Sequence, residues 1–304
     1  ILNVCQMQLT GPRGTEKNNI TDCDIILCTL PLFHVNAAFV TSLNAILGAG
    51  QVVLAGPNGF RNPQLINDFW QLVQKYKVTF FAAVPTIYAT LLDQPMTEID
   101  TSSLINCGCG AAPMPVSLLD NFARTTGSDI MEGYGMTETA SHVAVRRLGD
   151  HVYESVGSTS FSITDQGCLV ITAPHLNIKE LETHDIVELT GPRSFQFIGR
   201  NDFVINSGGI KIHPEEWERT LSEHGLEALI SSNTDSTFGE HAVLVLTSVD
   251  HTLSALKALS FLPRIGRPKK AIVLDNMPLN FAGKPDRIGI KEFILSHQDL
   301  LFQL

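Results

Sequence analysis

From Asp24 onward the chain alternates short apolar runs with stretches of helical spacing. DIILCTLPLFHV (24–35) reads as a short buried strand, NAAFVTSLNAILGAG (36–50) has helical spacing and stops at glycine, and QVVLAG (51–56) is strand-like again. NPQLINDFWQLVQKYKV (62–78) predicts one amphipathic helix, capped by Asn62 and opened by Pro63, with Leu65, Phe69, Leu72, Val73 and Tyr76 on one stripe. TFFAAVP (79–85) follows as a buried strand ended by Pro85. INCGCGAAPMP (105–115), a helix over Val116 to Thr126 and DIMEGYGMTE (129–138) then complete a strand–helix–strand unit. Two strands that each end in a glycine-rich loop, with a helix between them, predict a parallel sheet, and ligands bind off the carboxyl ends of such strands.

Beyond residue 150 the texture changes. GCLVITAP (167–174), DIVELTG (185–191) and SFQFIGR (194–200) read as a β meander. FVINSGGIKIHPEEWERTLSEH (203–224) reads as a strand, a Gly-Gly turn and a helix opened by Pro214, with Glu215 and Glu216 in its first turn. HAVLVLTS (241–248) and KKAIVLDNMP (269–278) predict further strands, and IGIKEFILSHQ (288–298) a closing helix. The fold class expected is therefore α/β: a parallel-sheet domain over 1–202, ending in the meander, then a small α+β domain over 203–304.

Composition narrows the function. With 304 residues the chain is long enough to bury a sizeable core, and 21 Lys and Arg against 31 Asp and Glu leave a formal charge of −10. That balance argues against a nucleic-acid partner, which needs clustered cations. The basic run PRIGRPKK (263–270) reads more readily as a solvated loop beside a strand than as an anion site. The six cysteines are scattered, and Cys107 and Cys109 lack the second ligand pair of a zinc site, so inert thiols in a reducing, cytoplasmic compartment are expected. The window from Ala37 to Gly56 is apolar, but Asn44, Gln51 and three glycines argue against a membrane span. The chain opens ILNVCQMQLT, with no starting methionine and no basic leader, and is expected to begin inside a longer protein without a signal peptide.

MEGYGMTETA (131–140) carries the first chemical hint. Gly133 and Gly135 let a backbone approach a ligand, and the Thr137 hydroxyl beside the Glu138 carboxylate suits a phosphate and its metal ion.

Taken together, GYGMTE (133–138), GRNDFVINSGGIKIHPEE (199–216) and PLNFAGKPDR (278–287) make the chain resemble the adenylate-forming superfamily of acyl-CoA synthetases, luciferases and peptide-synthetase adenylation domains. The resemblance runs from about Asp24 to the C-terminus. It implies a protein that joins a small carboxylic acid to ATP, with Mg2+, and passes the acyl group to coenzyme A. Matched position by position, it implies that Thr137 meets the phosphate and Glu138 the magnesium ion. Tyr134 would lie against adenine beside Gly135, and the backbone of Gly110, Ala111 and Ala112 along the purine's other edge. Asp185 would hold the ribose, assisted by Arg200, and Asp202 would be the hinge between a partial large domain over 1–202 and a small mobile lid over 203–304. Lys284 would bridge carboxylate and phosphate, and His34 would gate the acyl pocket.

Each assignment has a plainer counterpart: Glu138 as a turn carboxylate, Lys284 as a solvated loop lysine, His34 as a satisfied strand-end histidine, Asp185 as a turn cap and Tyr134 as core packing. The family's small-residue phosphate loop has no counterpart in LTGPRGTEKNN (9–19), so the chain reads as the family's later half, and Pro285 stands where the usual lysine loop has isoleucine. PLFHVNAAFV, GFRNPQLINDFW and FFAAVPTIYATLL are similar to fatty acyl-CoA synthetases. TETASHVAVRRLG, THDIVELTG and INSGGIKIHPEE are more similar to o-succinylbenzoate-CoA ligases. A medium or long apolar acid is the expected substrate, with the aromatic keto-acid, a non-catalytic nucleotide-binding module and a subunit completed by another chain as alternatives. A homodimer is compatible with all of these.

Overall fold

A computed structural model describes residues 21–30, 32–110, 114–147, 150–235, 239–280 and 284–304. The chain divides into two compact units, the first formed by 1–162, 170–182 and 189–196, the second by 163–169, 183–188 and 197–304.

In the first unit β1 (Ile25–Cys28) leads to a helix wound as π over Asn36–Leu43 (α1) that continues as α over Asn44–Leu47, and then to β2 (Gln51–Leu54). Next come α2 (Pro63–Asn67), α3 (Phe69–Tyr76), β3 (Phe80–Ala83), α4 (Pro85–Leu92), β4 (Asn106–Cys109), α5 (Val116–Thr126) and β5 (Asp129–Met136). The strands lie in the order β2-β1-β3-β4-β5, all parallel. Their central residues Ile26, Leu27, Phe81, Cys107 and Ile130 are buried, as continuous apolar runs in a covered parallel sheet require. β5 then turns back into antiparallel β6 (Ser141–Arg147) and β7 (Val152–Ser155). The core gathers rings: Phe69 meets Trp70 and Phe81 edge-on at 5.0 and 4.9 Å, and Tyr88 meets Phe122 at 5.0 Å.

Two details depart from the sequence expectation. The helix expected over 62–78 is two helices, because Asp68 leaves the helical region at φ −96°, ψ 4°. The break lets the neighbours Phe69 and Trp70 both be buried, with Trp70 Nε1 donating to the Leu91 carbonyl at 2.8 Å, while Tyr76, expected on the stripe, is 40% exposed. Pro85 does not merely end β3; it opens α4 from its first-turn position.

The strands β8 (Ser160–Ile163), β9 (Cys168–Thr172), β10 (Leu181–Gly191) and β11 (Ser194–Arg200) form the expected meander. The second unit contains β12 (Ile205–Ser207), β13 (Ile210–Ile212), α6 (Pro214–Glu223), β14 (Leu229–Asp235), β15 (Gly239–Leu246), α7 (Thr252–Leu259), β16 (Lys270–Val273), α8 (Arg287–Ser296) and β17 (Phe302–Gln303). Gly208 and Gly209, at φ 59° and 87°, make the β12–β13 turn. The strand order is β13-β12-β15-β16-β17, with β14 also on β15. Ile212, Trp217, Leu221, Leu244, Leu246 and Ala271 are among the buried residues packed between this sheet and its helices.

Cys28, Cys107, Cys109 and Cys168 are buried free thiols, and burial pushes Cys107 up to about 12. Cys23 is exposed. Among the described residues no helix is long and apolar enough to cross a membrane.

Candidate active site

The candidate residues of the first unit sit at the carboxyl ends of its parallel strands. His34 follows β1, is exposed, and accepts the Asn36 N–H at Nδ1 (3.2 Å). Gly110 follows β4, and a Cβ built on it would lie 3.9 Å from Asn36 Nδ2, so these two turns are neighbours. The Asn36 Oδ1 beside them is buried and has no hydrogen-bond partner among the described residues. Ala111 and Ala112 lie outside the described residues.

The turn from β5 to β6 is built around two residues. A Cβ on Gly135 would fall 2.2 Å from the Ser141 carbonyl oxygen and 2.6 Å from His142 Cα, so only glycine lets the two strands approach here. The buried Thr139 hydroxyl accepts the Met136 N–H at 3.0 Å and donates to the Ser141 carbonyl at 2.6 Å, and Ala140 completes the turn at φ 60°. His175 Nε2 adds a contact to the Thr139 carbonyl at 3.2 Å. This frame holds Thr137 and Glu138 exposed on a single 3-10 turn. Neither side chain makes a hydrogen bond or ion pair with another described residue, so both are free to meet a ligand.

Tyr134 packs edge-on against Phe195 (5.0 Å) and against Tyr153 (5.8 Å), contacts that serve core packing whatever else the ring does. Beneath it Glu132, 5% exposed, accepts the Met114 N–H at 2.6 Å, the Tyr153 hydroxyl at 3.1 Å and the Arg146 guanidinium. One carboxylate thus ties Met114 to β5, β6 and β7. Neither Glu132 nor Thr139 stood out in the sequence. The Glu at the head of GYGMTE and the second Thr of TET were their only signals.

In the second unit the remaining candidates meet. Arg200, at the end of β11, donates Nη1 to Asp185 Oδ1 at 3.0 Å and Nη2 to Asp202 Oδ2 at 2.8 Å. His184 Nδ1 lies 3.1 Å from the other Asp202 oxygen. Asp185 is 5% exposed, and its backbone N–H donates to the Thr183 hydroxyl at 3.1 Å. The Arg200 hydrogen bond holds the Asp202 carboxyl below the usual range. Lys284 belongs to the same group: burial lowers its ammonium below the ordinary lysine value, the nearby Arg200 charge lowers it further, and Asp185 opposes both.

The loop carrying Lys284 is pinned at its base. Lys284 N–H donates to Asn280 Oδ1 at 3.1 Å, Asn280 N–H donates to the Lys284 carbonyl at 2.7 Å, and Leu279 and Pro285 form a bridge. Pro285 therefore takes a pairing position that needs no N–H from it.

Among the described residues no group of three or more His, Cys, Asp or Glu is preformed for a metal ion. Magnesium does not need one, since it takes one or two protein carboxylates together with phosphate oxygens and water. The exposed Glu138 beside the Thr137 hydroxyl fits that requirement.

Residues 2–182 match the family described as AMP-binding enzyme. The marinolic acid–CoA ligase of Pseudoalteromonas sp. (strain SANK 73390) is 33% identical over 97% of this chain and 51% of its own length. The 2-succinylbenzoate–CoA ligase of Bacillus subtilis (strain 168) is 27% identical over 90% of the chain and 61% of its own length. The crystal structure of the anthranilate CoA ligase AuaEII in complex with anthranoyl-AMP has a TM-score of 0.79 at 19% identity, covering 98% of this chain and 64% of that one. ATP-bound MatB from Rhodopseudomonas palustris gives 0.77 at 21% identity, over 96% and 63%. The chain thus spans between about half and two thirds of the length of these proteins. It belongs to the AMP-binding enzyme family, within the adenylate-forming superfamily of acyl-CoA ligases.

Proposed function

We propose that this chain carries the later part of an ATP-dependent acid–CoA ligase, with a lid beginning near residue 203. In the first step a carboxylate oxygen attacks the α-phosphorus of ATP and pyrophosphate leaves, giving an acyl-adenylate. In the second the thiol of coenzyme A attacks the acyl carbon and AMP leaves. The observation that carries this reading is the grouping of Lys284 with the Asp185–Arg200 pair in one unit.

Attack on the phosphate brings two anions together, and a positive side chain between them lowers that barrier. Lys284 supplies the charge, and its place in the lid, rather than in the part that precedes residue 203, lets it withdraw before the thiol arrives. Asp185 is the acceptor for ribose hydroxyls, with Arg200 fixing its orientation. Thr137 donates to a phosphate oxygen, and Glu138 with Thr137 would hold the magnesium ion. That ion, when bound, neutralises phosphate charge. Tyr134, Gly135 and the backbone of Gly110, Ala111 and Ala112 line the adenine, and His34 stands at the acyl entrance.

The substrate proposed is a medium or long, mostly apolar carboxylic acid, on the similarity of the segments at 31–40, 59–70 and 80–92 to fatty acyl-CoA synthetases. The second reading is an o-succinylbenzoate substrate, favoured by the likeness to the Bacillus subtilis 2-succinylbenzoate–CoA ligase.

Acid-dependent ATP–pyrophosphate exchange, run on the product of the complete open reading frame that contains this chain, tests the proposal. Exchange is expected with an apolar acid, and Lys284→Ala is expected to slow it about 100-fold or more. Exchange with no acid, or full exchange in Lys284→Ala, would overturn it.

A further inference from the structure

We propose that Arg287, clamped by Glu215 and Glu218, is the positioning residue that fixes Lys284 relative to the Asp185–Arg200 pair. This rests on the reading of Lys284 as the adenylating lysine. The geometry is that of a brace between three elements. Arg287 is the first residue of α8, three positions beyond Lys284. Its Nη2 and Nη1 reach Glu218 Oε2 and Oε1 on α6 at 2.5 and 3.0 Å, the two-pronged fit that guanidinium makes to carboxylate. Glu218 Oε1 also accepts the Ile230 N–H at 2.7 Å, which joins β14 to the same point.

Glu215, one turn earlier on α6, lies 3.7 Å from Arg287 Nε. Its other oxygen is pressed against the backbone of β11: a Cβ on Gly199 would fall 2.8 Å from Glu215 Oε2. Gly199 directly precedes Arg200. The Arg287 guanidinium also lies over the Phe203 ring at 5.4 Å, just after Asp202. One cation therefore connects the start of the Lys284 stem to both flanks of the residue that holds Asp185.

The link from Arg287 back to Lys284 is short and stiff. Pro285 has a fixed φ, Asp286 N–H donates to the Pro278 carbonyl at 2.8 Å, and the Asp286 side chain caps α8 by accepting the Gly289 N–H at 3.1 Å. A displacement of Arg287 therefore moves Lys284 rather than being absorbed between them. The side chains of Arg287, Glu215 and Glu218 are 18%, 11% and 13% exposed, so solvent does little to loosen the clamp.

The test is Arg287→Lys in the product of the complete open reading frame, with the two half-reactions measured separately. Lysine keeps the charge but loses the fork. Pyrophosphate exchange, which needs Lys284 in place, is expected to fall about tenfold or more. Thioester formation from pre-formed acyl-adenylate and coenzyme A, which does not need it, is expected to stay within about twofold. Should Arg287→Lys fail to fold, Glu218→Gln is expected to show the same split. Equal losses in both half-reactions, or unchanged exchange, overturn the inference while leaving the acid–CoA ligase reading intact. A wild-type protein without exchange removes both.

Discussion

At the residue scale, the lowered values of Lys284 and His142 act at opposite ends of the pH range. In the proposed adenylation Lys284 must be charged to stand between two anions, and burial with Arg200 holds it below the ordinary lysine value. The alkaline limb of the adenylation rate is therefore expected below pH 10.4, the unperturbed lysine value, and Lys284→Arg should push that limb upward. A pH profile of pyrophosphate exchange checks both. His142, beside Gly133 on the β5–β6 hairpin, is pushed down to about 4 by burial. Its neutral form is the one the fold accepts. Above pH ~6.5 it is neutral folded and unfolded, and contributes nothing. Below that the unfolded chain binds a proton the folded chain refuses, so stability falls by about 1.4 kcal/mol per pH unit down to about pH 4. Urea unfolding across that window should show the slope in the wild type and a shallower one in His142→Leu.

Asp185, Arg200 and Lys284 could be picked out as candidates from the sequence because each sits in a short run of distinctive neighbours. Arg287 was not, because its meaning lies in Glu218, 69 positions away. A carboxylate on a helix and an arginine after a loop look like solvated charges until the fold closes them together.

At the element scale, apolar runs of four residues flanked by glycine or proline located the parallel strands well, since strands covered on both faces carry little else. The same logic missed α4, because PTIYATLL is apolar all round and Pro85 reads as an ending and as a beginning alike. It also missed β6 and β14, where mixed runs such as SHVAVRR and LISSNTD depend on partner strands for their identity. The continuous period over 62–78 hid the break at Asp68, whose cause is the burial of two adjacent rings.

The β5–β6 hairpin gives the sharpest prediction at this scale. Gly135→Ala would set a methyl 2.2 Å from a carbonyl oxygen. The strands must separate, at a cost of about 2–3 kcal/mol, and the turn holding Thr137 and Glu138 moves with them. Thermal unfolding should show the loss. Affinity for an acyl-adenylate analogue should fall further than the lost stability explains.

At the scale of the whole molecule, the strands β12 to β17 and their helices bury their own core within residues 205–304. A fragment spanning 203–304 is therefore expected to fold alone and to melt in one cooperative transition, measurable by circular dichroism; a featureless melt would show that this segment needs the rest of the chain. Such independence is what the proposed two-step reaction requires of a lid, with one surface presented to the phosphate and another to the thiol.

The claim on which all else depends is that the acid is activated through AMP, and the fate of oxygen tests it most directly. The enzyme would be given ATP, coenzyme A and a carboxylic acid labelled with oxygen-18 in its carboxylate. Since that oxygen attacks the α-phosphorus and leaves with it, the product AMP is expected to carry one labelled oxygen for each thioester formed. Unlabelled AMP, or ADP in its place, would contradict the account.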